Sequence, residues 1–441
     1  GEGEGEGEGE GEGEGEGGGE GEGEGEGEGE GEGEGEGEGE GNTGGGNGGN
    51  QENYFFPQHS TYQPGIIKPS RYTQQQLDDH TSNYYYNWIT RFLYQKGTET
   101  DGHPRYRISS GWSEFEATVS EGQGYGLIFT AMMAGHDPDA RERFDGLYEF
   151  VIDHPSMYNT HLMDWYVPQH EGNDQHANNS AFDGDCDIAY ALLLAEKQWG
   201  NDLRIDYGAE AAMRIAALKT VIGPTSLLPM LGDWVDPNGS PFNERSVRTS
   251  DFMIGHFHAF AAATADPFWD DVINACLATT SQLISSFSFT PQLMPDFIIQ
   301  DTASTYKPAY DYFLETQHDG KYFTNALRYP LRFTIDAVFS GDTRTLEPMQ
   351  KMNSWIYSAT FSGPHRIAAG YHLNGTPILG GGAFATEYIC GFAATAMTDP
   401  ALQPWLDDIY DTYYQASLGY YPDSLVLMSL FLLSGNWWLP Y

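Results

Sequence analysis

The 441-residue sequence predicts an all-α domain from about residue 70 onward, with the helix number and connection pattern of an (α/α)6 toroid. Three observations lead there. Apolar residues recur at helical spacing in twelve separate stretches, alternating runs that signal strands are short and few, and the stretches are joined by long connections rich in Asp, Asn, Gly, Pro, Tyr and Trp. The stretches fall at about 75–95, 120–135, 140–154, 186–200, 206–221, 250–265, 267–286, 324–340, 345–361, 384–397, 402–415 and 423–434. Connections as long as 155–185, 222–249, 287–323 and 362–383 are ones that compact domains usually keep for function. Six inner helices ringed by six outer ones, with the loops gathered at one rim, produce this pattern. A helical solenoid gives a similar count, although no repeat of fixed period supports it.

The segment before this domain is of another kind. Residues 1–41 are almost pure Gly-Glu alternation and run into "NTGGGNGGN", with no large apolar side chain to bury. Such a chain cannot offset its conformational entropy, so residues 1–50 are expected to be a disordered, self-repelling linker and 51–441 the folded domain. Removing its nineteen glutamates takes the net charge from −43 to −24. The domain is still acidic, and with only 21 Lys and Arg in the chain a nucleic-acid partner is excluded. No run of 18 apolar residues is present, which excludes a transmembrane helix. Lacking an initiator Met and a signal peptide, the sequence is expected to be a mature or truncated form. Cys186, Cys276 and Cys390 lie far apart in apolar contexts and are expected to be buried free thiols.

Two acidic clusters at helix starts carry the chemistry. In "SEGQGYGLIF", residues 120–129, Glu121 stands among Gly122, Gly124 and Gly126, each of which costs a helix on the order of 1 kcal/mol relative to Ala. Either Ser120 caps the helix with Glu121 as a first-turn acid, or the glycines admit a bulky ligand beside Glu121. In "SAFDGDCDIAYALLLAEKQWG", residues 180–200, Asp183, Asp185 and Asp187 precede an apolar helix. One of the first two can cap it. Calcium is not favoured, because the loop lacks the regular oxygen spacing and distal Glu of an EF-hand. Nor is zinc at His256, His258 and His318, since an i, i+2 pair does not share a helical face.

Taken together, "SEGQGYG" and "AFDGDCDIAYALLLA" resemble the two signature stretches of glycoside hydrolase family 8, whose members are (α/α)6-barrel endoglycanases that cleave β-1,4 links with inversion. The likeness continues in "LMDWYV", "GDWV", "RTSDFMIGHFHAF", "NALRYPLR" and "YYPDSLVLMSL", and so covers roughly residues 70–438. It departs at Phe182, where Ser or Thr is usual, which removes a hydroxyl from that position.

The resemblance implies that Glu121 is the general acid and that Asp183 binds the sugar at the bond being cut. In much of the family an Asp precedes the "A-x-R-x-P-x-R" stretch and serves as base; here that position is Asn325. An amide cannot take a proton from water, and the chain looks like the subgroup whose base is a Glu in the preceding loop, here "YDYFLETQHDGKYF". Glu315 is the match, with Asp311 and Asp319 as competitors. Acid and base of this kind suit glycoside hydrolysis: one protonates the leaving oxygen and the other activates water. Burial beside Tyr125 would raise the pKa of Glu121, and the three glycines would let the sugar come close to it. The other expected substrate contacts are Trp165, Trp234, Tyr125, Asn325, Tyr420 and Tyr421, with Arg328 and Arg332 either orienting the base loop or pairing with acids.

The expectation is a secreted, monomeric hydrolase without metal or cofactor, acting on a cellulose-type or mixed-linkage β-glucan. Chitosan is the rival substrate, since the subgroup includes chitosanases and an acidic domain attracts a polycation. A non-catalytic glycan-binding module would keep the aromatic residues but does not need both Glu121 and Glu315.

Overall fold

The computed structural model describes residues 54–98, 102–111, 116–169, 176–201, 204–378 and 386–441. The Gly-Glu segment read as a linker lies outside the described residues. Among them are twelve α-helices, one for every stretch read from periodicity: α1 Gln74–Phe92, α2 Ser120–Met132, α3 Ala140–Asp153, α4 Phe182–Trp199, α5 Tyr207–Leu218, α6 Ile254–Thr264, α7 Phe268–Phe287, α8 Tyr329–Ser340, α9 Thr343–Ala359, α10 Thr386–Ala396, α11 Gln403–Tyr413 and α12 Tyr420–Ser434. Seven short strands decorate the loops: β1 Leu93–Thr98, β2 Pro104–Ile108, β3 Thr118–Val119, β4 Tyr166–Val167, β5 Val247–Arg248, β6 Phe297–Thr302 and β7 Thr305–Pro308. β1 pairs with β2, β3 with β4, and β5, β6 and β7 form one small antiparallel sheet.

The even-numbered helices form the inner ring. α2 packs on α4, α4 on α6, α6 on α8, α8 on α10, α10 on α12, and α12 returns to α2, while each odd-numbered helix lies against an inner neighbour. That closing contact excludes a solenoid. The inner helices α2, α4 and α12 are buried almost throughout, including their polar residues, whereas α7, α9 and α11 keep a wet face. Connections from inner to outer helices are short, as at Gly341, a left-handed C-cap between α8 and α9. Connections from outer to inner helices are long, apart from the short stretch 414–419 between α11 and α12. All of these therefore collect at the end of the barrel where the inner helices begin, which puts the N-terminal turns of α2, α4 and α12 together at one rim.

The three glycines of α2 serve packing and do not admit a ligand. A Cβ on Gly122 would sit 2.9 Å from the Tyr420 hydroxyl, one on Gly124 2.7 Å from Asp187 Cβ, and one on Gly126 2.8 Å from Ile108. Gly184 answers from α4, where a Cβ would come within 2.7 Å of the Glu121 backbone nitrogen. The two helices cross backbone to backbone at that point, and this fixes the spacing of Glu121 and Asp183.

Ser120 is the first residue of α2 and does not cap it; the N-cap is Val119, with no side-chain bond. Asp183 and Asp185 likewise lie inside α4, which is entered from Ala181 without a side-chain cap. Phe182 is fully buried and packs edge-on against Phe257. All three cysteines are buried and free.

Candidate active site

Glu121 and Asp183 stand in the first turns of adjacent inner helices and meet at one guanidinium. Arg328 Nη1 donates to Glu121 Oε2 at 2.5 Å and to Asp183 Oδ2 at 2.7 Å. Arg328 ends a short 3-10 turn, Ala326–Arg328, that leads into α8, and its other nitrogen, Nη2, donates to Ser250 Oγ and to Asn325 Oδ1 at 3.2 Å. Tyr420, the first residue of α12, donates its hydroxyl to Glu121 Oε1 at 2.9 Å. These side chains border a cavity of about 190 Å³ lined by Glu121, Asp183, Arg248, Asn325, Arg328 and Trp165, among others.

The two carboxylates are held in opposite electrostatic states. Burial raises the pKa of Glu121, opposed by Arg328 and reinforced by the charge of Asp183. Asp183 is buried too, but Arg248 and Arg328 outweigh that and hold its carboxyl well below the usual range. Arg328 keeps Asp183 as a partner whichever state Glu121 is in, so protonating Glu121 leaves no buried cation unpaired. An acid whose pKa is raised beside one that stays ionised is the division of labour that glycoside hydrolysis requires.

Glu315 projects from the loop after β7, its side chain 38% exposed. Its Oε2 accepts from Asn325 Nδ2 at 2.8 Å and its Oε1 is 3.6 Å from Arg248 Nη2. The two competitors have other tasks. Asp319 is fully buried and accepts the backbone N–H groups of Leu314, Glu315 and Thr316, which shapes the loop. Asp311 is 63% exposed and is paired with Lys321 at 3.4 Å.

Several expected substrate contacts sit differently. Tyr125 is fully buried close to Glu121 and exposes no ring face to the cavity. Tyr420 is 7% exposed and serves Glu121 through its hydroxyl, while Tyr421 donates to Thr324 O at 2.6 Å, next to Asn325. Trp165 is 40% exposed and lines the cavity. Trp234 is part-buried, braced edge-on by Phe242, which in turn meets Phe313 of the loop that carries Glu315. Arg332 lies deeper and pairs with Asp187. The three acids read together in α4 diverge: Asp185 accepts the Met163 N–H, and Asp187 binds Arg332 and His256. His258 faces Asp336 instead, and among the described residues no three metal-binding side chains converge.

Sequence reasoning missed Arg248, which bridges Asp183 at 3.5 Å and Glu315. The only signal was its place at the head of "RTSDFM", just before an inner helix. It also missed Asp296 and Asp251, buried acids behind the site. Burial pushes Asp251 up to about 7 despite Arg248 at 3.7 Å, with Asp183 adding to the rise and Arg328 and Arg332 opposing it; its Oδ2 has no hydrogen-bond partner. Asp251 therefore holds a proton in the folded chain between about pH 4 and 7, where the unfolded chain has lost it. That contribution is complete below about pH 4, is lost as pH rises toward 7, and is worth on the order of a few kcal/mol. The melting temperature of Asp251→Asn relative to the unaltered protein is expected to rise from pH 4.5 to 7.5; equal slopes in the two proteins would remove Asp251 as a cause.

Comparison with known proteins gives the family. The family model for glycosyl hydrolases family 8 matches residues 73–435. A protein named beta-glucanase from Niallia circulans is 39% identical over 386 residues, 87% of this chain and 91% of its own. An endoglucanase of Bacillus sp. (strain KSM-330) is 35% identical over 87% of this chain and 82% of its own. The apo structure of a beta-1,3-1,4-glucanase from Paenibacillus sp. X4 superposes with a TM-score of 0.82 at 38% identity, covering 88% of this chain and 99% of that one. A xylanase of Teredinibacter turnerae, at 17% identity and a TM-score of 0.70, shares the fold. With a closed (α/α)6 barrel and a family match that spans most of the folded domain, the chain belongs to glycoside hydrolase family 8.

Proposed function

We propose that the protein is an endo-acting β-glucanase that hydrolyses β-1,4 links with inversion, with Glu121 as acid, Glu315 as base and Asp183 holding the sugar at the bond being cut. The observation that carries this reading is the pair of unlike carboxylates at one cleft. Glu121 is enclosed and tends to hold its proton, whereas Glu315 is open to solvent and held by an amide donor. The two are linked through Asn325 and Arg328 and make no direct contact, as an inverting pair requires. Trp165, exposed at the same cavity, offers a ring on which a sugar face can stack.

The named relatives support a β-glucan. Overall acidity favours the rival, chitosan, but at the cleft Arg248 and Arg328 offset the acids, and a polymer of ammonium groups would meet two guanidinium groups there. The same reading takes the protein as a secreted monomer whose Gly-Glu segment is a tether; no helix among the described residues is long and apolar enough to cross a membrane. Reducing-end release from barley-type β-glucan, carboxymethylcellulose, xylan and chitosan tests the proposal. Release is expected from the first two, with oligosaccharides as early products, and is expected to be unchanged on soluble glucan when residues 1–50 are deleted. Release from chitosan or xylan alone would overturn the substrate assignment.

A further inference from the structure

We propose that Asn325 is a positioning residue that aims Glu315 and, through Arg328, ties base to acid across the cleft, and that position 325 has to be an amide because Glu315 is the base. The inference rests on the assignment of Glu121 and Glu315 just given.

Asn325 is 8% exposed and both ends of its side chain are used. Nδ2 donates to Glu315 Oε2 at 2.8 Å, and Oδ1 accepts from Arg328 Nη2 at 3.2 Å. Arg328 Nη1 reaches Glu121 Oε2, so an unbroken chain runs Glu315, Asn325, Arg328, Glu121. The orientation of the amide is forced. Glu315 and Asp296 Oδ2, the latter 3.5 Å from Nδ2, both demand a donor, and the guanidinium demands an acceptor.

The backbone on either side is pinned so that the amide cannot drift. Asp296 Oδ1 accepts the N–H groups of Phe323 at 3.0 Å and Ala326 at 2.7 Å, and Tyr421 donates to Thr324 O. The base loop is fixed independently by Asp319, whose carboxylate takes three of its N–H groups. Asn325 is thus the side-chain link between two rigid pieces, the loop with the base and the turn with Arg328.

A carboxylate at 325 would keep the bond to Arg328 and lose the one to Glu315. It would stand about 3 Å from Glu315, with Asp296 behind it, and three acids would share the positive charge of Arg248 and Arg328. Two carboxylates at that distance titrate as a pair and the second proton is lost only at higher pH. An Asp at this position therefore makes Glu315 available as a base only at higher pH, and Ser or Gln would be too short or too long to span the gap.

The test is the pH dependence of kcat/KM on soluble β-glucan for the unaltered protein, Asn325→Ala, Asn325→Asp and Glu315→Gln. The groups facing Glu315 are Arg248, Asp296 and the loop's own Asp319; those facing the far end are Glu121, Asp183 and Tyr420. Asn325→Ala is expected to lower kcat by on the order of 10²-fold with KM nearly unchanged, because the base is mis-aimed while substrate contacts remain. Asn325→Asp, which is isosteric and keeps the Arg328 bond, is expected to move the acidic limb of the profile upward by about one pH unit or more. A profile for Asn325→Asp that overlays the unaltered one, or an effect of Asn325→Ala on KM alone, would overturn the proposal. Retained activity in Glu315→Gln would instead overturn the base assignment on which it rests, and the two failures are thereby told apart.

Discussion

Replacing Glu121 with glutamine is expected to lower kcat on polymeric β-glucan by on the order of 10²–10⁴-fold, because the alkoxide of the departing chain would have to leave unprotonated. The substitution changes little else. The new amide oxygen can still accept from Arg328 while its NH2 donates to the Tyr420 hydroxyl oxygen, and Arg328 keeps Asp183, so the melting temperature should move by only a few degrees. Two further readouts separate loss of an acid from damage to the site. Because the raised pKa of Glu121 sets the pH at which the acid loses its proton, the alkaline limb of the kcat/KM profile should disappear in the variant. An aryl glycoside whose phenol leaves without a proton should lose far less activity than the polymer does. If polymer and activated glycoside fall equally, Glu121 is not the acid.

The helices are legible in the sequence because burial imposes a period that survives in one dimension. All twelve stretches are helices, and the closed ring follows from the family resemblance once the contact of α12 with α2 removes the solenoid alternative. What one dimension hides is the set of partners supplied from far along the chain. Asp183, Asp185 and Asp187 look like a polar run before a helix, yet each is buried in α4 with its own distant partner: Arg328, the Met163 N–H, and Arg332 with His256. Gly122, Gly124 and Gly126 look like space for a ligand, because the residues that fill that space, Tyr420, Asp187 and Ile108, come from other elements. Tyr125 and Tyr420 read as sugar contacts in the sequence, whereas one is fully buried close to Glu121 and the other hydrogen-bonds it. Glu121, Asp183 and Asn325 stand out because short motifs carry them; Arg248 belongs to the same cluster but has no local signature.

Glu315→Gln is expected to lower turnover on soluble glucan by on the order of 10²–10⁴-fold while substrate affinity changes little, with Glu121→Gln at least as damaging. The replacement is nearly isosteric and leaves the loop's anchor intact, since Asp319 binds the backbone N–H of residue 315 and not its side chain. What disappears is the proposed base, a part-exposed carboxylate held by Asn325 beside Arg248; Asp183 is held ionised between arginines and Asp311 is tied to Lys321 at the surface. Asp311→Asn is therefore the control and is expected to be as active as the unaltered protein. Asp319→Asn is not a clean comparison, because weakening its hold on three N–H groups would displace the base loop and lower activity through Glu315. Azide distinguishes the cases. As an anion that needs no deprotonation, it should restore part of the turnover to Glu315→Gln by attacking in place of the activated water, and should do nothing for a chain whose loop has moved. If Glu315→Gln keeps more than about a tenth of its activity while Asp311→Asn loses it, the base is Asp311, and the roles of Glu121 and Asp183 stand without Glu315.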